Sequence, residues 1–410
     1  MKILLVDIGT GTQDILLYDS TLDIENAYKL IVPSPTMIVH RRLKEATRRG
    51  EAVLLTGVTM GGGPSQWAAQ AHIQAGYLLY ATPAAARTFN DDLQVVQEMG
   101  IQVISEDEAF RLPSSATRLE LKDFDFDAIV RSFAPYGVSL LDLDAIAVAV
   151  FDHGNAPPSI SDRQFRFDYL DNRIRAKNCL SAFAYLAKDV PTDLTRLQAV
   201  VDSAMLSDVP LVVMDTAPAA VLGATYDLNV ASRQRVLVVN VGNFHTLAFR
   251  LSRLGDRTFG IEGVFEHHTG LVDLEKLEKL LRALSDGSLR HSDVFDEHGH
   301  GALIYNPAPL SLDDADFDIA VTGPRWNMFM PFVNQTPHSK DWKISGQAIR
   351  TTSPMHLRPY FAVPFGDMMI AGCVGLLAAV ADLLPDLTES IKASLQGKLR
   401  PARAPWDNPG

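Results

Sequence analysis

One pattern is written twice in this chain, and the repetition limits the fold more than any other feature. An apolar run, Lys2–Ile8, reaches a carboxylate at Asp7 and breaks at Gly9-Thr10-Gly11-Thr12. Asp14–Tyr18 reads as a returning strand and Ala27–Val32 as a third. A helix over Met37–Arg49, stopped by Gly50, and a strand at Ala52–Thr56 follow. The second copy starts with Arg235–Val241, breaks at Gly242-Asn243-Phe244, returns over His245–Leu251 and adds Arg257–Phe265. Leu271–Leu284 then repeats leucines on one helical face, and Asp318–Thr322 is a strand. The period is far longer than that of a solenoid repeat, so the pattern predicts a duplicated α/β fold, two lobes of βββαβα each. The predicted division is a first lobe over 1–207, a second over 208–400 and a proline-rich mobile tail over 401–410.

Between the copies the reading is coarser. Gly76–Thr82 with Asp91–Met99, and Ile101–Ile104, read as further βα units, and 105–125 gives no clear pattern. Phe126–Phe133 is predicted helical, and Ala145–Phe151 is a buried strand that ends at Asp152-His153-Gly154. Helices are predicted over Arg163–Lys188 and Asp193–Leu206, and a short strand over Leu211–Met214. Pro331, Pro337 and Pro354 mark irregular structure, Phe361–Val363 a strand, and Asp367–Leu384 a helix.

Five pieces carry candidate chemistry. Asp7 ends a buried strand, where an unpaired carboxylate is costly unless something compensates it. The turn beside it, Gly9, Thr10, Gly11 and Thr12 with Asp14 beyond, offers backbone N–H groups and hydroxyls suited to a phosphate. Asn240, Gly242, Asn243 and Thr246 stand in the matching place of the second copy. Each bend alone is equally an ordinary hairpin. Met214-Asp215-Thr216 ends a strand and opens a helix of small residues, so Asp215 is a general base, a water holder or simply a helix cap. Gly323 follows the Ile319–Thr322 strand, and Gly372 and Gly375 interrupt the last long helix where close helix packing would favour them.

Charge and cysteine content exclude several classes. The 410 residues carry 37 basic and 49 acidic side chains, a net charge of −12. That balance argues against nucleic acid and against an anionic membrane surface as partners. Two cysteines, Cys179 and Cys373, make neither a disulfide framework nor the three thiolates of a radical iron–sulfur site. The N-terminal apolar run is too short for a signal peptide and no run reaches a bilayer span, so a cytoplasmic protein is expected.

In this order the five pieces resemble the actin-like ATPase superfamily, which includes actin, the large heat-shock chaperone ATPases, and sugar and acetate kinases. Asp7–Asp14 looks like its first phosphate loop, Asn240–Thr246 its second, and Val321–Arg325 its adenosine motif. Met214–Gly223 and Asp367–Leu377 look like its two interlobe helices. The resemblance implies two ribonuclease-H-like lobes with ATP and Mg²⁺ in the cleft between them, Asp7 orienting the metal. The second loop departs from the family in opening with Asn240 rather than Asp and in carrying Phe244 and His245. The adenosine motif departs in having Pro324 after Gly323. These departures bear on hydrolysis more than on fold. The chain as a whole also resembles proteins labelled pyruvate formate-lyase activating enzymes, a label that two cysteines do not support.

The polar residues left over are Asp152 and His153, at the end of a strand where α/β clefts open, and His267 and His268. These, with the Glu297–Gly301 segment, are candidates for a substrate or metal pocket, although adjacent strand residues face opposite sides. Gly61-Gly62-Gly63 is a tight turn or a substrate loop facing the cleft. The expected activity is an ATP- and Mg²⁺-dependent phosphotransferase acting on a small molecule. The alternatives are an ATPase whose lobe closure activates a partner enzyme, or a nucleotide-binding scaffold.

Overall fold

A computed structural model describes residues 1–204, 209–255, 258–312, 316–332 and 357–397. The tail over 401–410, Pro337, Pro354 and the residues on both sides of the predicted 207/208 division lie outside them. Among the described residues the fold is mixed α/β with three sheets. In chain order the strands are β1 (Lys2–Ile8), β2 (Thr12–Asp19), β3 (Tyr28–Pro33), β4 (Val53–Gly57), β5 (Leu79–Ala81), β6 (Gln102–Val103), β7 (Thr117–Leu121) and β8 (Ala145–Val150). They continue as β9 (Ala184–Leu186), β10 (Leu211–Asp215), β11 (Arg235–Val241), β12 (His245–Arg253), β13 (Phe259–His268), β14 (Gly301–Ile304), β15 (Ile319–Thr322) and β16 (Pro359–Phe361).

Two six-stranded sheets share the order of five strands and differ in one antiparallel edge strand each, β9 in the first and β14 in the second. The first runs β3-β2-β1-β8-β10-β9 and the second β14-β13-β12-β11-β15-β16. In each, the first three strands form an antiparallel meander, and two later strands add parallel to its first strand. The central strands β1, β8 and β10 are buried almost throughout, as their unbroken Val, Ile, Leu and Ala runs require.

Period-two alternation sorts these side chains into layers. Leu5, Ala147, Val212, Val238 and Phe249 face a central core shared by both sheets, whereas Leu4, Val6 and Val148 face the first sheet's outer layer. Leu237 and Val239 face the second sheet's outer layer, against Leu277, Leu281 and Leu284 of the Leu274–Asp286 helix.

Two helices, Thr216–Ala224 and Ala371–Leu383, fill the space between the sheets. Both are apolar around the whole circumference, as such a position demands. They cross backbone to backbone. A Cβ on Gly223 would overlap the Ala371 carbonyl, and one on Gly375 would overlap that of Ala219. The third sheet, β6-β5-β4-β7, is all parallel and has its own core around Leu43, Leu55, Ala69 and Leu119. It is inserted between β3 and β8.

Three expectations change. The helix predicted over Arg163–Lys188 stops at Ala176, because Asn178 turns its side chain to accept the Ile261 N–H at 2.7 Å and Ser181 donates to Asp382. The chain then forms β9, antiparallel to β10. β10 itself is bonded to β8, so the chain leaves the first sheet only after Asp215, rather than at 207. Residues 105–125, without a clear pattern in the sequence, hold a capped helix over Glu106–Arg111 and the strand β7.

Candidate functional site

The two glycine bends meet over one cleft of about 340 Å³. Each bend is closed in the same way: Gly9 N–H donates to the Thr12 carbonyl and Gly242 N–H to the His245 carbonyl, both at 2.9 Å. A Cβ on Gly11 would lie 3.1 Å from Asn243 Nδ2, so the two turns come close to touching. Gly9, Thr10, Gly11, Thr12, Asn240, Gly242, Asn243 and Gly323 all line the cleft. Gly323 has φ of 99° and packs on Asn240 and the Val241 carbonyl, a position a side chain would not fit.

Below the bends, Asp7 and Asp14 stand directly opposite each other on β1 and β2. The Thr216 hydroxyl donates to Asp7 Oδ1 at 2.5 Å, and Gly372 leaves just enough room for Asp7 Oδ2. Asp14 Oδ1 is buried with no hydrogen-bond partner among the described residues. Burial, with the Asp215 charge adding, pushes Asp7 up to about 6 despite the Thr216 bond. Burial and then the Asp7 charge push Asp14 up to about 8. Two buried carboxylates without a cation are each costly when charged, which is why both favour the proton.

Asp215 takes no part in this floor. Its carboxylate pairs with the fully buried Arg166 guanidinium and caps the Ala217 N–H at 3.2 Å, and it does not line the cleft. The strand ends in Asp215 but turns its side chain toward Arg166, and it is Thr216, one residue on, that faces Asp7. Thr246 is also turned away: it is buried, 3.0 Å from the Thr269 hydroxyl, which in turn donates to the Gly242 carbonyl. It braces the second bend from behind. Phe244 and His245, bulky for a phosphate turn, point out of it. Phe244 packs edge-on against Trp67 at 5.7 Å, and His245 stacks on Phe151 at 4.0 Å.

The far wall comes from the inserted sheet and from the end of β8. Asp152 accepts the Gly154 and Leu197 N–H groups, both at 2.8 Å, and so holds the turn that presents His153 to the cleft. Gly61, Gly62 and Gly63 line the cleft too, tied down because Gly61 N–H and Arg196 both donate to Asp123. Arg87, Asp91 and Arg196 complete this wall and had no motif to announce them. Burial raises the Asp91 carboxyl, with His153 partly offsetting it. His267 is fully buried and away from the cleft, whereas its neighbour His268 faces His245 and His300.

A family model described as "Putative pyruvate format-lyase activating enzyme (DUF1786)" matches residues 60–328, more than half of the sequence. The chain belongs to this family. Its matched span runs from the Gly61–Gly63 loop to the turn after β15, so it contains the far wall, the second bend and Gly323, while the first bend precedes it. No curated protein matches the chain. Among solved structures, an exopolyphosphatase-like protein studied by the Northeast Structural Genomics Consortium is 9% identical, with 96% of this chain and 91% of that one covered and a TM-score of 0.27. The ROK hexokinase from Thermus thermophilus is 12% identical, with a TM-score of 0.21. That match takes in 63% of this chain and 47% of the hexokinase, so this chain spans about half of its length. At these scores neither structure carries weight in the reading of the site.

Among the described residues no helix is long and apolar enough to cross a membrane.

Proposed function

We propose that the protein is an ATP- and Mg²⁺-dependent phosphotransferase acting on a small molecule, with two ribonuclease-H-like lobes built on the two six-stranded sheets. The observation that carries this reading is the shared cleft: two bends closed by the same hydrogen bond face each other above a buried carboxylate pair. The donor set fits the metal. Asp7 and Asp14 offer only oxygen, as a hard divalent cation requires, and Asp14 Oδ1 has no hydrogen-bond partner among the described residues. When bound, Mg²⁺ withdraws charge from the phosphate oxygens.

The chain's own groups supply the rest. With the Gly9 and Gly242 N–H groups closing the bends, N–H groups of Thr10–Gly11 and Asn243–Phe244 hold the phosphates from both sides, and Gly323 gives the nucleotide an unobstructed backbone surface. The small molecule occupies the wall formed by the Gly61–Gly63 loop, Arg87, Asp91 and His153. This polar pocket beside the phosphate bends is what favours transfer to an acceptor over activation of a partner enzyme. The Asp91 carboxylate, held above the ordinary carboxylate range by burial, takes the acceptor's proton. The pairing of Asp215 with Arg166 favours Asp91 over Asp215 in that role.

The test is a thermal shift on the full chain with ATP, with Mg²⁺ and with both. A ligand at a hundred times its Kd stabilises by about 2.7 kcal/mol. The expected result is a shift that needs both components and vanishes in Asp7→Ala. A wild-type protein that shows no shift, or an Asp7→Ala protein that keeps it, overturns the reading.

A further inference from the structure

We propose that His245, His268 and His300 form a binding site for one divalent transition-metal ion of the zinc class at the edge of the cleft. The three rings come from three places that the second sheet brings together. His245 opens β12 just after the second bend, and His268 closes β13 directly opposite it. His300 is fixed beside them because its N–H donates to the Glu266 carbonyl at 2.9 Å. One nitrogen from each ring lies within 4.8 Å of the other two. Nitrogens about 2.1 Å from a tetrahedral zinc are about 3.4 Å apart, so the rings need converge by at most about 1.4 Å.

A second observation points to the same place. Glu266 Oε1, His245 Nδ1 and His300 Nδ1 are buried side by side there. Glu266 Oε1 lies 3.0 Å from His245 Nδ1 and 3.9 Å from His300 Nδ1. A carboxylate placed behind an imidazole in this way orients the ring and raises its basicity toward a metal. Glu266 is itself anchored by Arg166 Nε at 3.1 Å, so it is a positioning residue held in turn by the buried pair with Asp215.

The ligand chemistry separates this site from the carboxylate floor. Three imidazoles select zinc, cobalt, nickel or copper over magnesium, which takes oxygen ligands. Three protein ligands with a fourth position open is the arrangement of reactive rather than purely structural zinc. His245 also lines the cleft, so an ion held here borders the space where the proposed acceptor sits. The proposal does not depend on nucleotide binding.

The experiment uses the full chain after chelator treatment, titrated with Co²⁺ while its visible ligand-field absorption is followed and Zn²⁺ competition is measured. The expected result is one equivalent of Co²⁺ in a nitrogen-ligand environment, displaced by Zn²⁺ and indifferent to Mg²⁺. Binding should weaken by more than about tenfold in His268→Ala and in His300→Ala. It should survive in Asp7→Ala and in His298→Asn, an exposed histidine of the same loop. Absence of stoichiometric binding by the wild-type protein overturns the proposal, whatever the variants do. So does binding that survives loss of both His268 and His300.

Discussion

Raising the pH from about 6.5 to 8 should destabilise the metal-free protein, and Asp14 is the reason. Its carboxyl is held up to about 8 from an ordinary 3.8, so between those values the folded state binds a proton that the unfolded state does not. Stability therefore falls as pH rises through the window, at up to about 1.4 kcal/mol per unit. Integrated from about pH 6.5 to the folded midpoint, where the slope halves, the loss is about 1.5 kcal/mol. Asp7, held up to about 6, has largely finished titrating by then and adds little. His268 and His300 are held down to about 4 and about 3, with the opposite sign: their stability is gained as pH climbs through their ordinary 6.5, and the part still to be gained there, about 0.4 kcal/mol each, offsets some of the Asp14 loss. Urea unfolding at a series of pH values, with constant m, measures the slope. Asp14→Asn should flatten it. Mg²⁺ should reverse it, because the cation binds the carboxylates only in their charged form and gains affinity as they deprotonate. A flat wild-type profile, or the same slope in Asp14→Asn, would refute the account of the cleft floor.

Two further substitutions separate packing from chemistry. Gly375→Ala gains about 1 kcal/mol of helix propensity but drives a methyl into the Ala219 carbonyl, so a net loss of about 1–3 kcal/mol is expected in urea unfolding. Stability equal to wild type would mean that the helices do not cross as closely as described. Asp215→Asn should cost about 3–5 kcal/mol by leaving the buried Arg166 charge underpaired. It should nevertheless leave the Mg²⁺-dependent ATP shift in place, and loss of that shift at unchanged stability would return Asp215 to the cleft.

Sequence carried the parts of this structure that are local. The boundaries of β1, β11 and the Phe126–Phe133 helix could be read residue by residue, because their apolar runs end at glycine or at a capping aspartate. Both bends were legible for the same reason. What stayed hidden depended on distance along the chain. Thr216 reaches Asp7 across 209 positions, and Arg196 meets Asp123 across 73. Asp215 and Thr216 are neighbours, and only the exit angle of β10 decides which of them faces the cleft. His300 was visible as one of several loop histidines, but its meeting with His245 and His268 requires β12, β13 and β14 to pair. Strand β9 was lost because a three-residue strand after a helical pattern has no periodicity of its own.

The glycines of the Ala371–Leu383 helix tie these features together. Gly372 admits the Asp7 carboxylate, and one turn later Gly375 admits the Ala219 backbone. A single helix thus fixes both the cleft floor and the crossing between the sheets. Relative motion of the sheets cannot be absorbed by parting the two helices, since their backbones already touch and neither has a side chain there to rotate aside. The cleft mouth is different. Its contact is Phe244 against Gly63 and the half-exposed Trp67, an aromatic pair worth about 1 kcal/mol beyond its buried area. The tight backbone contact therefore lies at the floor, and the weaker aromatic contact lies at the rim, where the inserted sheet meets the second bend.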